Sequence, residues 1–87
     1  MLQRNPEIPS TELDGEQVFM DLDSGKYYSL RGTGLDIWQR LATPLTEADL
    51  YSALAADYQI DATRCAADCA PFIEQMLARG LLLRVAG

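Results

Sequence analysis

The chain has no histidine, only two cysteines, few basic residues and no long apolar run, and each shortage removes a class of function. Without histidine there is no imidazole base that titrates near neutral pH and no Cys–His nucleophile pair. Two cysteines with no histidine fall short of the four ligands of a structural zinc site, so no metal and no other cofactor is expected. Cys65 and Cys69 stand four residues apart, a spacing that shares a helical face without readily bridging, so both are expected as reduced, buried, small apolar side chains. No stretch approaches the roughly 18 consecutive apolar residues of a membrane span, and the opening MLQRNPEIPS lacks the apolar core of a signal peptide. A cytoplasmic location away from membranes is the expectation. Seven Lys and Arg against 13 Asp and Glu leave a net charge of −6, a field that repels phosphate backbones and speaks against nucleic acid as partner. The acidic residues Asp21, Asp23, Glu47, Asp49 and Asp57 serve solubility, and could also steer a partner surface rich in lysine and arginine.

What is present is an ordinary globular composition, 48% hydrophobic and 23% charged over 87 residues. That length predicts a single domain over 1–87. Pro6 and Pro9 make the first ten residues an extended arm or loose strand, with a first short strand starting near Thr11. From Gln17 the chain alternates, Val18, Met20 and Leu22 facing one way and Phe19, Asp21 and Asp23 the other, as in a half-buried strand. Asp23-Ser24-Gly25-Lys26 has turn chemistry, and Tyr27-Tyr28-Ser29-Leu30 resumes the strand pattern, so the unit reads as a β-hairpin.

Helical spacing follows. Leu35, Ile37, Trp38 and Leu41 predict a first helix to about Ala42 with Thr33 as its N-cap, and Thr43-Pro44 ends it. Thr46 caps a second helix with Leu50, Ala53, Leu54 and Tyr58 as its apolar stripe. Asp61 caps a third, which carries Cys65, Cys69, Phe72, Ile73, Met76 and Leu77 on one side, stops at Arg79-Gly80 and is expected to kink at Pro71. Leu81 to Val85 form an apolar tail able to close over the core. Strands followed by helices define an α+β class, with a three-stranded antiparallel sheet packed on three helices.

The second strand of the hairpin, Lys26 to Leu30, is an edge, and an edge offers unpaired backbone groups to an extended peptide. Tyr27 and Tyr28 point to opposite faces; Tyr28 is assigned to the core with Leu30, and Tyr27 lies nearer any bound peptide. For either tyrosine core packing is the commoner role, as it is for Trp38. Phe19 reads as an outward aromatic that marks a contact or lies under the N-terminal arm. Arg64, Asp68 and Gln75 share one flank of the third helix, either bordering a groove or simply solvated.

Read in order, VFMDLDSGKYYSL, GTGLDIWQRL, TPLTEADLYSALAADYQID and CAADCAPFIEQMLARGLLL resemble the PqqD-like family. Its members are the peptide chaperone of pyrroloquinoline quinone biosynthesis and the leader-recognition elements of ribosomally made, post-translationally modified peptide (RiPP) pathways. The resemblance spans roughly residues 12 to 83 and lies in the ordered combination of weak motifs. The paired tyrosines of KYYSL and the tryptophan of GLDIWQRL are most similar to the discrete leader-binding proteins of lasso-peptide clusters. The resemblance implies a winged helix-turn-helix fold in which a precursor's leader adds as a strand beside Lys26 to Leu30 and is clamped by the helix Asp61 to Arg79. The residues it nominates for peptide contact are Lys26, Tyr27, Tyr28, Ser29, Leu30, Arg64, Asp68, Phe72 and Gln75. It further implies no catalysis by this chain, a leader peptidase or other modifying enzyme as partner, and, in the cofactor-pathway case, a radical SAM enzyme. A second copy of the chain could also cover the edge. A winged-helix DNA-binding regulator is the rival reading, opposed by the absence of any Lys or Arg in ADLYSALAADY. An enzyme ranks last, since nothing presents itself as base, nucleophile motif or metal ligand.

Overall fold

The computed structural model describes residues 1–86, which run β1 (Leu2–Arg4), β2 (Ser10–Leu13), β3 (Glu16–Asp21), β4 (Lys26–Leu30), α1 (Gly32–Arg40), α2 (Glu47–Tyr58), α3 (Ala62–Ala78) and β5 (Leu82–Arg84). Two turns build the larger sheet, whose antiparallel order is β2-β3-β4. Asp14 and Gly15 take positive φ, 49° and 79°, the backbone that an Asp-Gly hairpin supplies most readily, and fold β2 onto β3. Between β3 and β4 the Gly25 amide donates to the Asp21 carbonyl at 2.8 Å, and Asp21 Oδ1 accepts from the Asp23 amide at 3.0 Å. The α+β class with a three-stranded antiparallel sheet and three helices is therefore as expected.

The facing of β3 is not. Phe19 is fully buried, edge-to-face on Trp38 with ring centroids 4.7 Å apart, and Val18, Met20 and Leu22 lie on the outward side. Apolar side chains fall on both faces of the strand, Phe19 among polar neighbours on one and Val18, Met20 and Leu22 on the other, and the aromatic, which packs on Trp38, takes the core. Tyr28, opposite Phe19 in the register, packs half-buried against that core together with Leu30, as anticipated.

Thr33 is not the cap of α1. The chain enters the helix through Gly32 at φ 59°, with Arg31 at the N-cap position, so Thr33 already lies inside the first turn. The helix ends at Arg40, short of Ala42, where Arg4 reaches across from β1: its Nε donates to the Trp38 carbonyl at 2.9 Å and its guanidinium lies 4.5 Å over the Trp38 ring. The Trp38 carbonyl, which also accepts from the Leu41 amide at 3.2 Å, thus gains a second donor from outside the helix. Thr46 caps α2 as expected, its hydroxyl oxygen accepting from the Asp49 amide at 3.1 Å. Tyr58, counted in the apolar stripe, is 41% exposed and donates its hydroxyl to Asp36, which holds its pKa up to about 12. Asp61 occupies the N-cap position of α3 without a side-chain hydrogen bond. Helix α3 runs unbroken past Pro71; the carbonyl four residues back, which that proline cannot serve, belongs to exposed Ala67 and can turn to water.

Both ends of the chain join in a second sheet that the sequence did not disclose. The expected arm contains β1, and the expected tail contains β5; they pair antiparallel with Leu2 opposite Arg84, and the N-terminal amino group donates to the Val85 carbonyl at 2.7 Å. Leu2, Leu81 and Leu82 are buried, joined in one core by Ile37, Leu50, Leu54, Cys65, Cys69, Ile73 and Met76.

Candidate functional site

The free edge of β4 is the first part of the site. Backbone amides along a strand point alternately to its two sides. The Met20 amide donates to the Pro9 carbonyl on the β2 side, so the Phe19 and Asp21 amides face β4, and their register partners Tyr28 and Lys26 turn their backbone groups inward to β3. Tyr27 and Ser29 are left with backbone N–H and C=O directed away from the sheet. Both residues are exposed. The edge thus offers two residues' worth of donors and acceptors, spaced as an added antiparallel or parallel strand requires.

Helix α3 stands along one side of that edge. A methyl placed on Gly34 of α1 would lie 3.3 Å from Leu30 Cδ2 and 4.0 Å from Phe72 Cδ1, so the end of β4, the start of α1 and the middle of α3 converge there. Seven residues further along α3, the Arg79 guanidinium sits 4.7 Å over the Tyr28 ring. These two contacts settle which flank of α3 faces the strand. At about 100° per residue, Arg64, Asp68, Phe72, Gln75 and Arg79 fall within about 80° of one another, on the flank that Phe72 and Arg79 turn to β4. Phe72, grouped in the sequence with the core cluster, is 43% exposed, whereas Cys65, Cys69, Ile73 and Met76 are buried. Arg64 and Asp68 form an exposed ion pair at 3.6 Å, one and two turns before Phe72.

The residues nominated from sequence are therefore brought together with two distinctions. Tyr28 and Leu30 of β4 face Arg79 and Phe72 across a strand–helix groove, and by helical spacing Gln75, Asp68 and Arg64 fall on the same flank of α3. Lys26 shares the inner face at the turn end of β4, opposite Asp21, while the Tyr27 side chain, 64% exposed, flanks the edge from the outer face. Gly34 and Arg79 were not legible as site residues. Gly34 looks like a helix-start glycine, and Arg79 like a helix stop, though its spacing of four from Gln75 and seven from Phe72 carries the signal.

The groove is built for packing and hydrogen bonding. Among the described residues no three His, Cys, Asp or Glu side chains gather where a metal could sit. Cys65 and Cys69 are free and buried with their sulfurs 3.9 Å apart, and burial pushes the Cys69 thiol up to about 11, away from thiolate reactivity. No described helix is long and apolar enough to cross a membrane.

A small domain with an open strand edge beside one helix flank has the form of a peptide-capture module. Residues 16–82 match the family model of coenzyme PQQ synthesis protein D (PqqD), and the chain belongs to that family. Two solved structures share its fold over nearly the whole length. One, "TbiB1 in complex with the TbiA(beta) leader peptide", has a TM-score of 0.80 and 25% identity, covering 98% of this chain and 99% of that one. The other, "Lasso peptide synthetase B1 complexed with the leader peptide", has a TM-score of 0.78 and 29% identity, covering 95% and 98%. No match is found among curated proteins. The family match and these neighbours make the chain a PqqD-like RiPP recognition element.

Proposed function

We propose that this chain binds the leader segment of a ribosomally made precursor as an added strand on β4, and delivers it to a leader peptidase or another maturation enzyme of a lasso-peptide pathway without performing chemistry itself. The observation that carries the reading is the unpaired edge at Tyr27 and Ser29 beside the α3 flank of Phe72, Gln75 and Arg79. Backbone pairing supplies sequence-tolerant affinity, and side chains of the leader that alternate toward α3 meet Tyr28, Leu30 and Phe72, which supply selectivity. Lys26, Arg64 and Asp68 border the groove at its two ends and select by charge. Holding the leader raises the local concentration of the attached core peptide at the partner enzyme, which accelerates maturation with no new catalytic contact.

The winged helix-turn-helix description goes with this reading, the β3–β4 hairpin as wing and α2–α3 as the helix pair, in a protein of the cytoplasm. Both structural neighbours are leader complexes of lasso-type proteins, which favours that pathway over a chaperone for a radical SAM enzyme. A DNA-binding role is opposed by the helix pair, in which α2 carries no Lys or Arg and α3 only Arg64 against Asp68 and Glu74.

Ser29→Pro tests the geometry. Proline removes an amide that points away from the sheet and is tolerated on an edge, so the fold persists, while a leader strand loses a donor and meets a pyrrolidine ring. Affinity for a fluorescent cognate leader is expected to fall at least tenfold, about 1.4 kcal/mol, relative to wild type. Wild-type affinity no better for the cognate leader than for a scrambled one would refute the function; full affinity in Ser29→Pro would refute strand addition at this edge.

A further inference from the structure

A peptide strand laid along Tyr27 and Ser29 has its side-chain rows set by strand geometry. Residues opposite Tyr27 and Ser29 exchange backbone hydrogen bonds with them and turn their side chains to the outer face, whereas those opposite Lys26, Tyr28 and Leu30 turn theirs to the α3 side. The positions facing Lys26 and Leu30 are therefore four residues apart on the peptide. The Leu30 position adjoins Phe72 and is apolar. The Lys26 position is charged.

Cations are scarce in this chain, and nearly all are engaged. Arg31, Arg40, Arg64 and Arg84 are ion-paired with carboxylates, and Arg4 donates to the Trp38 and Gln39 carbonyls. Among the described residues Lys26 and Arg79 alone of the seven Lys and Arg form neither an ion pair nor a side-chain hydrogen bond, although 13 Asp and Glu are available. Both stand at the turn end of the groove. Lys26 closes the α3-side row of β4, and the Arg79 guanidinium is held 4.7 Å over the ring of Tyr28, the next residue in that row. The carboxylates nearby lie away from the free edge. Asp21, across from Lys26 on β3, accepts from the Asp23 amide, and with Glu7 and Asp23 it borders a recess between Arg79 and the N-terminal arm.

We propose that Lys26 and Arg79 form a specificity subsite for an acidic side chain of the leader, four residues from the apolar side chain that meets Leu30 and Phe72. The proposal rests on the leader-binding reading above and adds to it which residue type the peptide carries and where. An aspartate or glutamate opposite Lys26 continues the charge row Asp21, Lys26, leader carboxylate, with Arg79 on the diagonal over Tyr28. Opposite charges directly across paired strands stabilise the pairing, and like charges oppose it. The stacking on Tyr28 restricts the Arg79 side chain before the peptide arrives, so less rotamer freedom is lost on binding. A lysine or arginine at the same leader position meets two cations and is rejected. That rejection matters in a protein of net charge −6, whose field gathers basic peptides indiscriminately.

The test uses the intact protein and its synthetic cognate leader with a terminal fluorophore, read by anisotropy. When each Asp or Glu of the leader is replaced in turn by Asn or Gln, one replacement should weaken binding about threefold and the others should not. Lys26→Glu should weaken binding of the unmodified leader at low salt, less so at high salt, and should prefer a leader carrying lysine at that one position. In Arg79→Gln the sensitive leader replacement should lose its effect in part, a coupling that a merely structural role of Arg79 does not produce. Full affinity in both Lys26→Glu and Arg79→Gln, or a leader with no carboxylate that couples to either, overturns the subsite while leaving strand capture intact. Should Arg79→Gln disturb the end of α3, the exposed Lys26→Glu and its charge-swapped leader decide by the same criterion. Wild-type protein that binds the cognate leader no better than a scrambled one would instead remove the underlying function.

Discussion

The two sheets of this molecule are held in different ways. In the smaller one, Leu2 of β1 and Leu82 of β5 are both buried, with Leu81 beside them, and the strands are further tied to the helices by Arg4 on Trp38 and by Arg84 on Glu47 and Glu74. In the larger one, Phe19 is the sole buried strand residue; Tyr28 and Leu30 are half-buried, and β2 is exposed throughout. The smaller sheet is a fastening that closes the core. The larger is a surface attached through one aromatic and its flanks, and that is why it can keep an edge free and a face bare. A sheet buried on both faces with both edges covered could not recruit a strand.

The sharpest way to break this comparison is to cut the single attachment. Phe19→Ala should cost about 3–5 kcal/mol in urea unfolding, a large share of the roughly 5–15 kcal/mol available to a domain of this kind. In native-state hydrogen exchange the loss should appear first in β3 and β4, and leader affinity should fall with it. A loss below about 1 kcal/mol would mean that the sheet is held by something other than the Phe19–Trp38 contact. Leu82→Ala should come next, at about 2–4 kcal/mol, because its cavity opens beneath a fastening that other contacts still hold. Here leader affinity should survive at a temperature where the protein remains folded. Leader binding that falls in step with stability in Leu82→Ala would show that the two sheets act as one unit.

The same contrast explains what could be read from the sequence. Turns, caps and helix faces are local, so the hairpin at Gly25, the Thr46 cap, the stop at Gly80 and the edge strand Lys26–Leu30 are legible in a few residues each. The β1–β5 sheet joins residues at opposite ends of the chain, and no local pattern in LQR or LLR announces a partner more than seventy residues away. Facing fails for another reason. In EQVFMD each alternating set carries an apolar residue, Val18 and Met20 in one and Phe19 in the other, so periodicity says that a strand exists without saying which side is in, and only the position of Trp38 decides for Phe19. Within the site, the edge is a strand property and is readable, whereas the role of Arg79 depends on α3 lying against Tyr28, a tertiary fact.

The smallest expected effect separates the sheets by pH. Asp21 closes the β3–β4 turn, and hydrogen bonds from the Ser24 hydroxyl and the Asp23 amide hold its carboxyl below the ordinary value of 3.8. A group whose pKa is depressed on folding favours the folded form above its unfolded value and loses that contribution as pH falls through the folded one. The turn should therefore loosen only below pH 3.8, seen as faster exchange at the Ser24 and Gly25 amides. The β1–β5 strands have no carboxylate in their own register, so their amides should respond less over the same range. Asp21→Asn keeps an oxygen that can accept from the turn amides but does not titrate, and should flatten the acid response at Ser24 and Gly25 while leaving the rest of the titration in place. An acid response at these amides that persists in Asp21→Asn would place its origin in other carboxylates, and would mean that the hairpin is pinned by its β3–β4 pairing more than by its turn.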